Sequence, residues 1–423
     1  MPSVIDPSAA RRSWRLDPAV AYLNHGSFGA CPLPVLEAQR AWQDRMEADP
    51  VRFLGRELPT LLGDVRQELA AFLGADPAGL VFVPNATTGV STVLASLGLR
   101  PGDELLATDH EYNATLNALR RPAETKGARV VLARIPLPID SALEATGAIL
   151  DAVTPRTRLV LLSHVTSPTA LVLPVDAIVG ELAARGIDVL VDGAHAPGQV
   201  PLALDRLGAA WYTGNAHKWL CAPKGAAFLW ARADRRDQLR PLVTSHGAND
   251  PDPSRSRLHR EFDWTGTDDP SALLAIPAAL RFVGGLHPDG WPGVMAAGRQ
   301  RAIELRDRLT GILGVEPPAP DAMLGAMASV PVPGLLGSDR VSTDGVRHAI
   351  RDEDGVEVAL TDWPVAAARG TMDRPVQWLV RASAAPYVTD ADVERLLAAI
   401  DGRLGRIGVH GPVGGGRRPS GPR

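Results

Sequence analysis

Ile187-Asp-Val-Leu-Val-Asp192-Gly-Ala-His195-Ala-Pro-Gly198 is an apolar run that breaks into a polar, glycine-bearing turn. A second passage of the same kind follows, Ala210-Trp-Tyr-Thr213-Gly-Asn215-Ala-His217-Lys218-Trp219. Pro223-Lys-Gly225 then turns into a third run, Ala226-Ala-Phe-Leu-Trp230. Runs this continuously apolar suit strands covered on both faces, which is the habit of a parallel sheet. Upstream the same alternation predicts strands at Gly79, Glu104, Arg129 and Leu159. Between them it predicts helices over 88–96, 114–126, 141–152 and 175–185, with Gly127 and Gly186 as stops. The fold class is therefore α/β, a large layer with a mostly parallel sheet. Downstream, residues 244–271 are rich in Pro, Asp, Arg and Ser and predict a long exposed loop. Helices are expected over 270–283 and 294–313, then a smaller α+β region from about 325 that ends in a helix over 390–404. The glycine-rich tail from 408 reads as disordered.

Composition narrows the function. The 423 residues carry a net charge of −4, which lacks the basic field of a general nucleic-acid binder. No apolar run reaches the roughly 18 residues that span a bilayer. The only cysteines, Cys31 and Cys221, stand far apart in no ligand-like spacing, which argues against a metal site and for a reducing, cytoplasmic setting. Only Lys126, Lys218 and Lys224 are lysines; the other 41 basic residues are arginines, which cannot act as amine nucleophiles.

Ligands in α/β sheets bind at the carboxyl ends of the strands, so Asp192 and Lys218 face one crevice. A carboxylate and a lysine there suit pyridoxal phosphate: the lysine forms an imine, and the carboxylate keeps the pyridine nitrogen protonated. A structural ion pair between the two is the plain alternative. Asn85-Ala-Thr87-Thr88-Gly89, between a strand and a helix, is either an ordinary helix cap or a phosphate seat.

These stretches, with Tyr22-Leu-Asn24-His25-Gly-Ser-Phe-Gly29, Ser163-His-Val-Thr-Ser167-Pro and Leu379-Val-Arg381-Ala-Ser, resemble the class V aminotransferase family of fold type I, within it the isopenicillin N epimerase-like branch. The resemblance implies an N-terminal segment (1–30), a large cofactor domain (31–275) and a small C-terminal domain (276–407). It implies that Lys218 carries the cofactor and that Asp192 meets its ring nitrogen. His195 and Ser167 fall beside the ring hydroxyl and Tyr112 on the ring face. Thr87, Thr88, Asn215 and His217 fall on the phosphate side. Thr267, in Thr265-Gly-Thr267, resembles the segment that reaches the phosphate from a neighbouring subunit, implying a homodimer. Asn24, His25 and Arg381 are implied substrate contacts, Arg381 gripping an amino-acid carboxylate. No cysteine lies between Val356 and Leu379, where desulfurases of this family carry theirs. Epimerisation is the leading reaction implied. C–S β-elimination from a cysteine conjugate, decarboxylating oxidative deamination and transamination stand as alternatives.

Overall fold

The computed structural model describes residues 5–369 and 375–403; the expected disordered tail from 408 lies outside them. Among the described residues twelve strands form three sheets. The strands are β1 (Ala21–Tyr22), β2 (Leu80–Val83), β3 (Glu104–Thr108), β4 (Arg129–Ala133), β5 (Thr157–Ser163), β6 (Asp188–Gly193), β7 (Trp211–Asn215), β8 (Ala227–Ala231), β9 (Met327–Pro331), β10 (Val356–Glu357), β11 (Ala359–Trp363) and β12 (Gln377–Ser383). The large sheet has the order β2-β8-β7-β6-β5-β3-β4. Six of its seven strands run in one direction, while β8 is antiparallel to both neighbours, so the sheet is mixed.

Alternation along each strand feeds two separate apolar layers. Leu80, Leu106, Val160, Leu162, Val191 and Tyr212 pack on one face, beneath the helices Leu58–Leu73 and Val175–Ala184. Val81, Leu105, Leu161, Leu190 and Trp211 pack on the other with the helices Ala86–Ser96 and Asn113–Lys126. Helix Ala86–Ser96 lies flush on β7: a Cβ at Gly89 would stand 2.1 Å from Thr213 Oγ1. Leu190, Leu161 and Leu159 are fully buried, each worth about 1.5–3 kcal/mol relative to exposure.

The three strands β11-β12-β9 form a second, antiparallel sheet backed by the helices Gly290–Leu313 and Asp390–Arg403. The pair β1–β10 ties the N-terminal segment to this region, with Ala21 opposite Val356. Among the described residues no helix is long and apolar enough to cross a membrane.

Two expectations need correcting. The stretch 244–271 is not a bare loop, for it contains the helix Arg257–Asp263, whose Leu258 and Phe262 are buried in the second apolar layer. Its arginines are occupied internally: Arg255 pairs with Asp263, Arg257 with Glu261, and Arg260 with the carbonyl of Asp252. The helix expected over 270–283 is two, Ser271–Leu274 and Ile276–Gly284, because Pro277 opens the second.

Candidate active site

β6, β7 and the turns after them bring Asp192 and Lys218 to the same sheet end. Asp192 is the next-to-last residue of its strand; Oδ1 accepts the N–H of Ala194 at 3.0 Å and Oδ2 accepts Thr115 Oγ1 at 3.0 Å. Burial pushes its pKa up, while these two bonds and the charge of Lys218 oppose the shift. Among the described residues no carboxylate lies within ion-pair distance of Lys218, so the two are not a simple salt bridge. Lys218 Nζ instead sits 3.1 Å from His195 Nε2. Burial first, and then the charge of Arg381, push the lysine down to about 7, with Asp192 acting against them. Burial also holds His195 well below its ordinary range, so the ring is neutral, and its buried Nδ1 has no hydrogen-bond partner among the described residues. An amine held neutral near pH 7 is ready for imine formation or proton transfer.

On the opposite side of this crevice stands the start of helix Ala86–Ser96, capped by Asn85, whose Oδ1 accepts from Thr88 N–H at 2.8 Å and Thr88 Oγ1 at 3.1 Å. Asn215, the last residue of β7, accepts Ala86 N–H at 2.8 Å. The Thr87 N–H meets no acceptor among the described residues, leaving a helix-terminal donor open to an anion. His217 donates Nδ1–H to Ala226 O at 2.9 Å, and burial pushes its pKa to about 4.

Arg381 lies on β12 and is 4% exposed. Its Nη1 donates to Ser167 O at 2.6 Å and to Ser167 Oγ at 3.3 Å, and its Nη2 to Ser27 Oγ at 3.1 Å. The Ser27 hydroxyl passes its own hydrogen to Asn24 Oδ1 at 2.6 Å, and Asn24 Nδ2 donates to Glu357 at 3.0 Å. Among the described residues no carboxylate pairs with Arg381, and its Nε is buried without a partner. A buried guanidinium in that state is built for an anion that arrives from outside. Tyr112 precedes helix Asn113–Lys126, is 47% exposed, and is near enough to Arg381 to act electrostatically on it.

Ser167, which the resemblance puts beside the ring hydroxyl, touches Arg381. His25, an implied substrate contact, is fully buried with both ring nitrogens engaged, Nδ1 with Tyr387 Oη at 2.8 Å and Nε2 with Lys218 O at 3.0 Å. Thr267 is exposed and makes no hydrogen bond to this cluster among the described residues. Three residues escaped the sequence reading. Ser27 was visible only as part of a motif, and Thr115 only as a helix position. Glu111, fully buried, accepts from Thr108 Oγ1, Ser163 N–H and Ser163 Oγ, and burial pushes it up to about 7. Its signal was a carboxylate three residues beyond the strand that ends at Thr108. Cys221 is buried in apolar surroundings that push its thiol up, and burial pushes Cys31 up to about 12.

The donors present fit pyridoxal phosphate: one buried amine, a strand-end carboxylate, and an open helix N-terminus. The sequence matches the family described as Aminotransferase class-V over residues 22–396. It is 38% identical to isopenicillin N epimerase of Amycolatopsis lactamdurans over 92% of this chain and 97% of that protein. It is 32% identical to putative L-cysteine desulfhydrase 1 of Oryza sativa subsp. japonica, over 94% of this chain and 86% of that one. The fold superposes on the cysteine desulfurase CsdA of Escherichia coli with a TM-score of 0.76 at 21% identity, covering 95% of this chain and 99% of that one.

Proposed function

The chain belongs to the class V aminotransferase family, whose members are pyridoxal-phosphate enzymes, and on that premise we propose that it removes the Cα proton of an amino acid or amino-acid conjugate and inverts its configuration. The observation that carries this reading is the pairing of Lys218, an amine brought near neutrality, with Arg381, a buried cation that has no acidic partner among the described residues. When bound, the cofactor draws electron density away from Cα and makes its proton acidic.

The chain's own residues do the rest. Lys218 would hold the cofactor and, as a free amine, would take or return the Cα proton at Nζ. Asp192 keeps the ring nitrogen protonated, with Thr115 and the Ala194 N–H fixing its two oxygens. His195 stays neutral beside Lys218 and therefore adds no charge against a protonated amine. Thr87, Thr88, Asn215 and His217 would hold the phosphate, and Tyr112 the ring face. Arg381, braced by Ser27 and Ser167, receives the carboxylate and fixes which Cα bond is broken. This reading divides the chain at residues 30 and 275, so that Lys218 and Arg381 belong to different domains. It also includes a homodimer, in which Thr267 serves a neighbouring subunit, and a cytoplasmic setting, supported by two unbonded cysteines.

A second reading is C–S β-elimination from a cysteine conjugate, favoured by the similarity to a protein named as a cysteine desulfhydrase. It uses the same proton removal and needs no thiol of the chain. Persulfide chemistry has no support, because burial keeps both Cys221 and Cys31 protonated. Chiral chromatography of a panel containing an isopenicillin-type tripeptide and several cysteine S-conjugates separates the two. Accumulation of the inverted isomer supports epimerisation, whereas release of thiol and pyruvate supports elimination.

A further inference from the structure

The short helical turn His25–Phe28 and the residues beside it touch both halves of the site. Toward the arginine, Ser27 Oγ accepts from Arg381 and the Gly26 N–H donates to Ser383 Oγ at 3.0 Å, so two successive residues hold β12. Toward the lysine, His25 Nε2 lies 3.0 Å from Lys218 O. Gly29 follows at φ +70°, and a Cβ there would stand 2.2 Å from His217 O and 3.1 Å from Lys218 Cα. Only glycine lets the chain lie so close against the backbone of the lysine turn. Lys224 Nζ completes the contact by donating to Gly29 O at 2.9 Å.

The partners of His25 fix its tautomer. A carbonyl oxygen only accepts, so Nε2 carries the hydrogen toward Lys218 O. Nδ1 is then bare and receives the Tyr387 hydroxyl at 2.8 Å and the Ala30 N–H at 3.3 Å. The ring centroid lies 4.9 Å from that of Trp219, the residue after the lysine. Burial holds the ring neutral, which preserves this arrangement.

We propose that His25 is a positioning residue for Lys218. Its Nε2–H fixes the lysine's main chain, and through Ser27 the same turn sets the separation between Lys218 and Arg381. Those are the groups that meet the amine and carboxylate of a bound amino acid. The inference rests on Lys218 being the cofactor lysine.

The test reads cofactor capture rather than turnover. Cofactor-free protein is titrated with pyridoxal phosphate, reduced with borohydride, and mapped by peptide mass. Wild type acquires the label on Lys218; a label on Lys126 or Lys224 instead would overturn both the assignment and the inference. His25→Gln places an amide nitrogen where the imidazole Nε2 stood, and His25→Asn falls short of it. We expect His25→Gln to stay within about twofold of the wild-type half-saturation and His25→Asn to need about tenfold more cofactor, the worth of one lost buried hydrogen bond; Lys218 O keeps its second donor, the Cys221 N–H. The two variants behaving alike, with labelling still confined to Lys218, would overturn the inference and leave the lysine assignment standing. If His25→Asn does not fold, Tyr387→Phe removes the closer of the two donors on Nδ1 and leaves the Ala30 N–H. A raised half-saturation then supports the inference, and an unchanged one overturns it.

Discussion

His195 Nε2 stands 3.1 Å from Lys218 Nζ, so the lysine is faced by a neutral ring rather than by a carboxylate. A buried amine beside a neutral imidazole sheds its proton easily: burial is the main cause, and the charge of Arg381 adds to it.

Capture of pyridoxal phosphate by the cofactor-free protein should therefore rise with pH through a midpoint near 7, where Lys218 loses its proton. Arg381→Met removes a charge that lowers the lysine, so the midpoint moves up. Asp192→Asn removes one that raises it, so the midpoint moves down. Absorbance titration across pH 5.5–9.5 checks both directions.

Arg381→Lys keeps the charge and loses the planar fork. Its two donors on Ser167 and Ser27 are then imperfectly replaced, and substrate carboxylate loses bidentate recognition. KM for the amino acid should rise about 10- to 100-fold, the worth of roughly 1.5–3 kcal/mol in charge-assisted hydrogen bonds. Half-saturation by the cofactor should change far less, which steady-state kinetics beside a cofactor titration would show.

Burial pushes His25, His164 and His217 down to about 4. Their folded values lie below the unfolded value near 6.5, so the unfolded chain takes up protons first. The stability they contribute is present above pH 6.5 and is lost as pH falls toward 4. His164 is bonded through Nδ1 to Tyr212 Oη at 2.9 Å and stands outside the catalytic cluster. His164→Leu should lower the slope of unfolding free energy against pH by about 1.4 kcal/mol per unit between pH 5 and 6. Urea unfolding at a series of pH values gives that slope.

Glu111 has the opposite sign. Its folded value near 7 exceeds the unfolded one, so the folded chain holds the extra proton and stability falls as pH rises from about 4.5 to 7. Glu111→Gln keeps an acceptor for Thr108 and Ser163 without the buried charge. The variant should melt higher than wild type at pH 8 and gain nothing at pH 4.5, as calorimetry would show.

Much of this was legible in the sequence because buried strands are written as apolar runs. Ile187–Val191 and Leu159–Leu162 could be placed from residue type alone, and Asp192 and Lys218 followed as the polar residues beyond such runs. The rest depended on long-range contact. Helix Arg257–Asp263 sits in a polar stretch, and its helical state rests on Leu258 and Phe262 finding the sheet. Its Ser256 cap was overlooked among the prolines and aspartates. Helices Leu33–Ala48 and Leu58–Leu73 preceded the alternating region and were not read. His25 shows the limit of motif reasoning at the site. Its partners Tyr387 and Lys218 are distant in sequence, so the bonds made by its two nitrogens are not readable from the motif.

Mass spectrometry of the amino-acid panel incubated with the holoenzyme in D₂O tests the central claim most directly. The account predicts that one member returns intact with a single deuterium at Cα and a growing fraction of inverted configuration, and that Lys218→Ala abolishes the exchange. Substrate recovered without Cα deuterium, or exchange that persists in Lys218→Ala, would contradict it.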